Sequence, residues 1–293
     1  MIESADEDPL APAAGLWRDA GRRLRGSRAA LLALGVIALL VALALLGPRL
    51  NPNRSDTIDW SCIAMPPGLR HAHWWGTDRL GRDLFVRTLL GTRISLAVGL
   101  IATAVSLVVG IVYGAIAGFV GGRVDHLMMR VLEILSGLPL IFFVILLTVV
   151  FGRSVYLLFL SIGAIGWLTM ARIVRGQAMV IRGREFIEAA TAAGAGPVRI
   201  VLRHVVPNVI GPVIVYATLT VPQIILFESF LSFLGLGIQE PQASLGTLIA
   251  SGAAEMESAP WMLLVPSVIL ATLLISFNVL GDALRDSLDP GEL

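Results

Sequence analysis

Stretches without any charged residue dominate this chain of 293 residues and alternate with short polar segments. Six of them are at least 18 residues long: 29–48, 94–122, 134–152, 154–171, 205–227 and 258–281. An α-helix rises about 1.5 Å per residue, so 18 residues reach about 27 Å, close to the hydrocarbon thickness of a bilayer. Helices also satisfy their own backbone hydrogen bonds, as lipid requires. The pattern therefore predicts an all-α, polytopic membrane protein with six transmembrane helices.

The distribution of Arg predicts the orientation of these helices. Residues 1–28 begin acidic and rich in Pro and Ala, which is typical of disorder, and end in a basic collar of Arg18, Arg22, Arg23, Arg25 and Arg28. The run 29–48 is longer than the apolar core of a signal peptide, so we expect an uncleaved first span. With both ends in the cytoplasm, 14 of the 22 Arg face inward, and the positive-inside rule favours an N-in, C-in topology.

Composition supports the membrane assignment and narrows the chemistry. Only 15% of the residues are charged, against about 25% in soluble domains. All 22 basic residues are Arg, and without Lys the chain forms neither a Walker A phosphate loop nor a Schiff base. Cys62 is the single cysteine, and His71 and His73 have no Cys or carboxylate at the usual ligand spacing. We therefore predict no catalytic, cofactor or metal site and no nucleic-acid partner.

The second apolar run contains Gly110, Gly114 and Gly118 in a GxxxGxxxG row. Glycines four residues apart form a flat strip on one helix face, which lets another backbone approach closely. The row predicts close helix packing, either within the chain or against a second subunit. A flexible hinge is the alternative interpretation.

Three residues in or beside the apolar runs are candidates for a transport pathway or gate. Pro222 lies in the fifth run and removes a helical hydrogen bond, as other prolines do in the third and fifth runs. Glu228 follows the fifth run directly, and an ionisable group in such surroundings is expected to be functional unless it marks the outer end of the span. Asn278 lies one turn inside the sixth run, where we expect its amide to hydrogen-bond across helices.

A polar segment, 172–204, separates the fourth and fifth runs and is too polar to cross a bilayer. Its part 184–193 is rich in Ala and carries Glu185 and Glu188 in the first turns, where negative charge suits the helix dipole. This part is predicted to be a helix. Four small or apolar residues fall on one face of that helix, a face that suits insertion into a groove on another protein. They are Phe186, Ala189, Ala190 and Ala193.

Residues that start and stop helices follow this segment. Gly194 is placed to end the first helix in a left-handed conformation, and Pro197 to begin a second one. We expect Pro207 to end that second helix, because proline lacks the N–H that a continuing helix needs.

These residues form a motif that resembles the EAA loop of ABC importer permeases. The EAA triplet at 188–190 is followed after three residues by Gly194 and later by Pro207, as in that loop. The Ile and Leu of the family motif are replaced by His204 and Val206. The resulting HVVPN resembles the HVLPN form of the peptide-importing branch.

Three further stretches resemble the C-type permease of dipeptide and oligopeptide importers. They are 76–96, which precedes the second span, and 228–252 and 259–290, which surround the last one. The resemblance covers about 75–290 and implies the type I ABC importer permease fold. Together with the apolar runs and the Arg distribution, it gives the expected domain organisation: a cytoplasmic tail 1–28, the first transmembrane helix 29–48, a periplasmic or extracellular segment 49–93, a permease core 94–281 with its cytoplasmic coupling loop 172–206, and a cytoplasmic tail 282–293.

The same resemblance implies partners and a location. Importers of this kind combine two permeases as a heterodimer, two ATPase subunits or one fused ATPase, and an external solute-binding protein that delivers peptide. The chain would then be a noncatalytic half of the translocation pathway in the lipid of a bacterial inner membrane. ATP and Mg²⁺ would be bound by the partner ATPases.

Within the coupling loop, Arg199 and Arg203 are expected to pair with carboxylates on the ATPase, unless they serve only the positive-inside bias. Nickel, glutathione or a cell-wall peptide is an alternative cargo. A different class, an ion-coupled transporter working alone, would need intramembrane carboxylates, for which Glu133 and Glu228 are the candidates.

Overall fold

The computed structural model describes residues 21–51, 53, 55–68, 73–151 and 155–288. Its named elements are helices: α1 (Arg28–Leu50), α2 (Leu84–Val120), α3 (Gly122–Ser136), α4 (Leu140–Phe151), α5 (Val155–Arg182), α6 (Glu185–Ala192), α7 (Pro197–Ile200), a π-helical turn (Val201–Val205), α8 (Val206–Phe233), α9 (Leu245–Ala253) and α10 (Trp261–Leu288). Several predictions fall on residues outside the described part: the disordered start of the tail, Arg18, His71 and the short turn at Arg153.

Within the described part, four helices are long and apolar enough to cross a membrane. They are α1, α2, α10 and one continuous helix, Pro197–Phe233, made of α7, the π-helical turn and α8. α3 and part of α4 would together make a fifth span, bent by 82° at a short break. The prediction of an all-α protein with several membrane-spanning helices is therefore confirmed in its coarse form.

The third apolar run, 134–152, is broken into two helices. Residues 137–139 separate α3 from α4. Pro139 has no N–H for the helical ladder and disfavours helical geometry at the residue before it, so the chain turns here. A bidentate ion pair then fixes α3 onto α5, because the Arg175 Nε and Nη2 lie 2.5 and 2.6 Å from the two Asp125 carboxylate oxygens.

The helix that contains the second apolar run begins before that run. α2 starts at Leu84, inside the predicted outer segment 49–93. Asp83 caps it, since its carboxylate accepts a hydrogen bond from a first-turn backbone N–H at 2.9 Å. Arg87 and Arg93 interrupted the charge-free run in the sequence, but two arginines near the end of a long helix do not stop it.

The glycine row of α2 packs against α5. A Cβ atom on Gly110, Gly114 or Gly118 would lie 2.6 to 2.8 Å from a Cβ atom of α5. Real Cβ atoms do not approach so closely, so the two backbones can lie at this distance only because these residues are glycines. The row therefore packs within the chain, the first of the two alternatives left by the sequence.

An ion-pair network joins the start of α2 to the loop before α9. Arg82 donates to the two Glu240 carboxylate oxygens at 2.8 and 2.9 Å, and its Nε donates to Asp78 at 2.7 Å. Arg87 lies 3.3 Å from Glu240 and 3.4 Å from Asp78. The Arg82 guanidinium, mainly through its hydrogen bonds, holds the pKa of Glu240 below its ordinary value of 4.5.

Glu240→Gln is expected to lower stability at neutral pH and to lose this effect in acid. A carboxylate with a depressed folded-state pKa stabilises the fold above its ordinary value and loses that contribution as the pH falls through the folded-state pKa. The Glu240 side chain is 60% exposed, so screening by solvent limits the effect to about 1 kcal/mol. Denaturant unfolding of the purified chain at pH 7 and at a series of values below 4.5 measures it.

The matched control is Glu255→Gln, because Glu255 pairs at 3.4 Å with Arg79, whose side chain is more than half exposed. We expect that change to leave stability within about 0.5 kcal/mol. A difference between Glu240→Gln and the wild type that stays constant across the acid range would contradict the assignment.

Candidate coupling site

α6 follows the predicted helix within one residue at each end. Glu185 and Glu188 lie in its first turn, where the unpaired backbone N–H groups favour negative charge. The C-terminus closes in a Schellman motif, in which the Ala195 N–H donates to Ala190 and the Gly194 N–H to Thr191. Gly194 has φ +81°, in the left-handed region that glycine adopts without strain.

The second helix does not end at Pro207, so that prediction is wrong. Pro197 occupies the first turn of α7, as expected, but the chain then passes through the π-helical turn directly into α8. The Val206 N–H donates to the carbonyl of Val201, five residues earlier. The wider turn relieves the clash of a proline ring with the preceding carbonyl, so Pro207 stands in a continuing helix.

Three aliphatic side chains anchor residues 185–205, the candidate coupling segment, to the body of the protein. Ile187 of α6, Ile200 of α7 and Val205 of the π-helical turn are all almost fully buried. Each such burial contributes about 1.5–3 kcal/mol. They belong to one cluster with side chains of α2, α5 and α8: Ala115, Met170, Val174, Ala178, Ile181, Val209 and Val213.

These anchors were not predicted from the sequence, because the prediction rested on the alanine face of α6 alone. The available signal was a large β-branched residue, Ile187, next to Glu188 in a helix whose second half consists of small residues. Such a residue is more often buried than exposed.

The predicted alanine face points away from the body of the protein. Phe186, Ala189 and Ala193 are exposed, and Ala190 is half-buried. The Phe186 ring lies 6.2 Å from the His204 ring, so α6 and the π-helical turn share one surface.

Two further apolar side chains, Val198 and Leu202, are 71% and 65% exposed on the segment after α6. They were not predicted. Large apolar side chains exposed on a polar segment are typical of a protein contact. The charged groups of the segment are exposed as well, and none of them makes a salt bridge within the part of the chain that the structure describes: Glu185, Glu188, Arg199 and Arg203.

Glu228, predicted as a pathway or gate residue, is fully buried inside the chain. Ser95 of α2 and Ser232 of α8 donate to its two carboxylate oxygens at 3.0 and 2.6 Å. Ser95 also accepts a hydrogen bond from the Leu245 N–H at the start of α9, and Ser244 bonds to Ser232. Glu228 therefore joins the C-terminal part of α8 to α2 and α9, a contact between distant segments that the sequence pattern did not reveal.

The other two pathway candidates lie in different surroundings. Pro222 is buried in α8, which continues through it as one helix. Asn278 is exposed, and its Nδ2 donates to the Leu274 carbonyl of its own helix at 2.9 Å. The hydrogen bond expected across helices is thus replaced by one within α10.

Comparison with known proteins decides the family. The sequence model described as "Binding-protein-dependent transport system inner membrane component" matches residues 110–292. The chain belongs to this family. A second model, described as "N-terminal TM domain of oligopeptide transport permease C", matches residues 15–67 of this family member. The relationship to importer permeases inferred from the EAA motif is confirmed.

Individual relatives align with almost the whole of this family member. The oligopeptide transport system permease protein OppC of Escherichia coli (strain K12) is 51% identical over 289 residues, which are 99% of this chain and 96% of that protein. OppC of Haemophilus influenzae (strain ATCC 51907 / DSM 11121 / KW20 / Rd) is 50% identical over 94% of this chain and 88% of its own length. The dipeptide transport system permease protein DppC of Bacillus subtilis (strain 168) is 42% identical over 95% and 87%.

Proposed function

We propose that this chain is the peptide-conducting permease subunit of an ATP-driven importer in a bacterial inner membrane. The oligopeptide and dipeptide permeases to which it is similar support the cargo, and the family supports the location. One observation carries the coupling role. α6 is anchored by a single buried face and leaves its alanine face, Phe186 and its charged groups exposed and without salt bridges among the described residues.

The surface that would receive the ATPase consists of small residues flanked by larger ones. Ala189 and Ala193 allow a groove wall to come close, while Phe186, Val198 and Leu202 supply apolar area. Arg199 and Arg203 are available for carboxylates of that partner. The chain supplies no Lys for a phosphate loop, so ATP and Mg²⁺ belong to the partner ATPases.

A continuous helix would transmit a displacement of α6, caused by the ATPases, across the membrane. Pro197–Phe233 has 37 residues, about 55 Å at 1.5 Å per residue, and no assigned break. It begins after the short turn that follows α6, and it contains Glu228. The Glu228 carboxylate accepts a hydrogen bond from Ser95, which also accepts one from the N–H at the start of α9. A displacement of α6 by a closing ATPase pair would therefore move α9 and the outer end of α2 together.

The topology we propose has six spans with both ends in the cytoplasm. Four long helices and the bent pair of α3 and α4 account for five spans. α5, which contains most of the fourth apolar run, would complete the six. A cleft of about 640 Å³ is lined by Arg23 and Ser27 near the start of α1 and by Asp282 and Asp286 near the end of α10. The start of α1 and the end of α10 thus lie close together, which supports an even number of spans.

The proposal predicts ATP-dependent peptide uptake that needs the complete assembly. The chain is reconstituted into vesicles with a sister permease, ATPases and a solute-binding protein of a peptide importer from the same organism, and uptake of a radiolabelled pentapeptide is measured. We expect accumulation only with internal ATP and all components. Excess unlabelled pentapeptide should compete, whereas nickel and glutathione should not.

Two results would overturn this function. Uptake by the chain alone under an ion gradient would indicate a secondary transporter. Uptake of nickel or glutathione in place of peptide would keep the importer class but change the cargo.

A further inference from the structure

Three side chains with metal-binding atoms meet in the segment between α1 and α2. A carboxylate oxygen of Asp59, the Sγ of Cys62 and a ring nitrogen of His73 all lie within 4.8 Å of one another. Cys62 is a buried free thiol, His73 is buried and Asp59 is half-buried. The spacing along the sequence gave no reason to connect them, because only folding brings residues 59–62 next to His73.

The backbone brings these side chains together without any ligand. Ala64 N–H donates to the Asp78 carbonyl at 3.0 Å, and Thr77 N–H donates to the Met65 carbonyl at the same distance. The Thr77 hydroxyl donates to the Cys62 carbonyl and accepts from the Met65 N–H. The two turns that carry the cluster are therefore fixed to each other, so only side chains need to adjust when a ligand binds.

The backbone of Asp59 packs closely against the facing turn because that turn has a glycine, Gly81, at the contact. A Cβ atom on Gly81, which has φ +71°, would collide with the Asp59 carbonyl. Among the described residues, the carboxylate of Asp59 accepts from the Ser61 N–H at 2.9 Å and the Ser61 hydroxyl at 2.5 Å, and the Cys62 side chain is hydrogen-bonded to it as well. No salt bridge among the described residues occupies it.

The His73 ring is hydrogen-bonded to a carboxylate, as the rings of metal-binding histidines commonly are. Its Nδ1 lies 2.8 Å from the Asp83 Oδ2, and the two side chains are 7% and 0% exposed. A hydrogen bond donated by Nδ1–H to this carboxylate fixes the tautomer and leaves the Nε2 lone pair for a metal. Asp83 is itself fixed, because its other oxygen caps α2.

We propose that Asp59, Cys62 and His73 form a three-ligand site for Zn²⁺ with an open fourth position. A set of sulfur, nitrogen and oxygen donors favours Zn²⁺ over Ca²⁺ or Mg²⁺, which take oxygen ligands. Bonds of about 2.0–2.3 Å require ligand atoms about 3.3–3.8 Å apart. The observed upper limit of 4.8 Å exceeds these separations by about 1.0–1.5 Å, so side-chain rotations within the cluster shorten the distances when the metal binds. The site is independent of peptide transport.

Cobalt substitution in the full-length, metal-stripped chain tests the site. Co²⁺ is titrated under a metal-free reductant, and Zn²⁺ affinity is then measured by displacement. We expect one Co²⁺ per chain with a thiolate-to-cobalt charge-transfer band. Cys62→Ser should remove the band and weaken Zn²⁺ by more than the roughly 10–100-fold of an outer-shell change. Asp59→Asn should weaken Zn²⁺ while keeping the band.

Matched controls lie close by and far away. Asp56→Asn changes a carboxylate of the same segment, and His126→Gln changes an exposed histidine on α3; both should bind Zn²⁺ as the wild type does. Wild-type Zn²⁺ affinity in Cys62→Ser or Asp59→Asn, or a Co²⁺ spectrum without the thiolate band, overturns the proposal. If Cys62→Ser does not fold, Asp59→Asn decides by itself, since it alters only a half-buried side chain in a turn.

Discussion

Gly194→Leu is expected to reduce ATP-driven uptake of peptide strongly while leaving the permease inserted and the ATPases active. Gly194 has φ +81°, and a residue with a Cβ is strained there by about 1–2 kcal/mol. The chain relieves the strain by leaving the left-handed conformation, which breaks the Schellman motif and changes the direction in which α6 meets Pro197–Phe233. When α6 is bound to the ATPase, its displacement then no longer moves the helix Pro197–Phe233. ATP hydrolysis therefore continues without peptide transport.

The measurement compares peptide uptake with ATP hydrolysis in the same reconstituted vesicles. We expect uptake to fall at least about 10-fold, the effect of about 1.4 kcal/mol, with hydrolysis retained. The matched control is Gly196→Leu, two residues away in the same turn. Gly196 has φ −69°, and no described atom lies within 4 Å of its added Cβ. It should keep uptake within about twofold of the wild type.

Equal loss of uptake in Gly194→Leu and Gly196→Leu would show that added bulk, and not the backbone conformation, disturbs docking. Full uptake with normal hydrolysis in Gly194→Leu would show that the direction of α6 does not matter. Either result contradicts the role assigned to this glycine.

The local features of the coupling segment could be predicted from the sequence, and the features that depend on distant residues could not. The helix limits around Glu185 and Gly194 depend on dipole and capping preferences of neighbouring residues, so they appear in the sequence pattern. The continuation of the helix through Pro207 depends on the hydrogen bond between the Val206 N–H and the Val201 carbonyl, five residues apart. Hydrophobic periodicity does not predict such a bond. The burial of Ile187 depends on side chains of α2 and α5, which are far away along the chain.

The apolar runs show the same division. Pro139 predicts a disturbance in the third run, but the size of the bend and its ion pair to α5 require the fold. Glu228 stands out in the sequence as a charge among apolar residues. Its partners Ser95 and Ser232 do not stand out, because single serines are common in membrane helices. The cluster of Asp59, Cys62 and His73 likewise exists only because two turns pair.

Gly114→Leu is expected to destabilise the whole chain, since Gly114 lies in the middle of the contact between α2 and α5. An added Cβ would lie 2.8 Å from the Val174 Cβ and would collide with the Ala171 carbonyl. A backbone carbonyl within a helix cannot rotate away, so the two helices must separate and the cluster around Met170 loses its packing. We expect a loss of about 3 kcal/mol in the free energy of unfolding, at the upper end for overpacking.

Unfolding of the purified chain in mixed micelles measures this loss, and Gly176→Leu is the matched control. Gly176 lies on α5, and no described atom approaches its added Cβ within 4 Å. There leucine replaces a poor helix former on an open face, so stability should stay within about 1 kcal/mol of the wild type. Equal stability of the two variants would mean that α2 and α5 do not pack through the glycine row. Because α5 leads directly into α6, the position of the coupling segment would then have to be set by the Ile187 cluster alone.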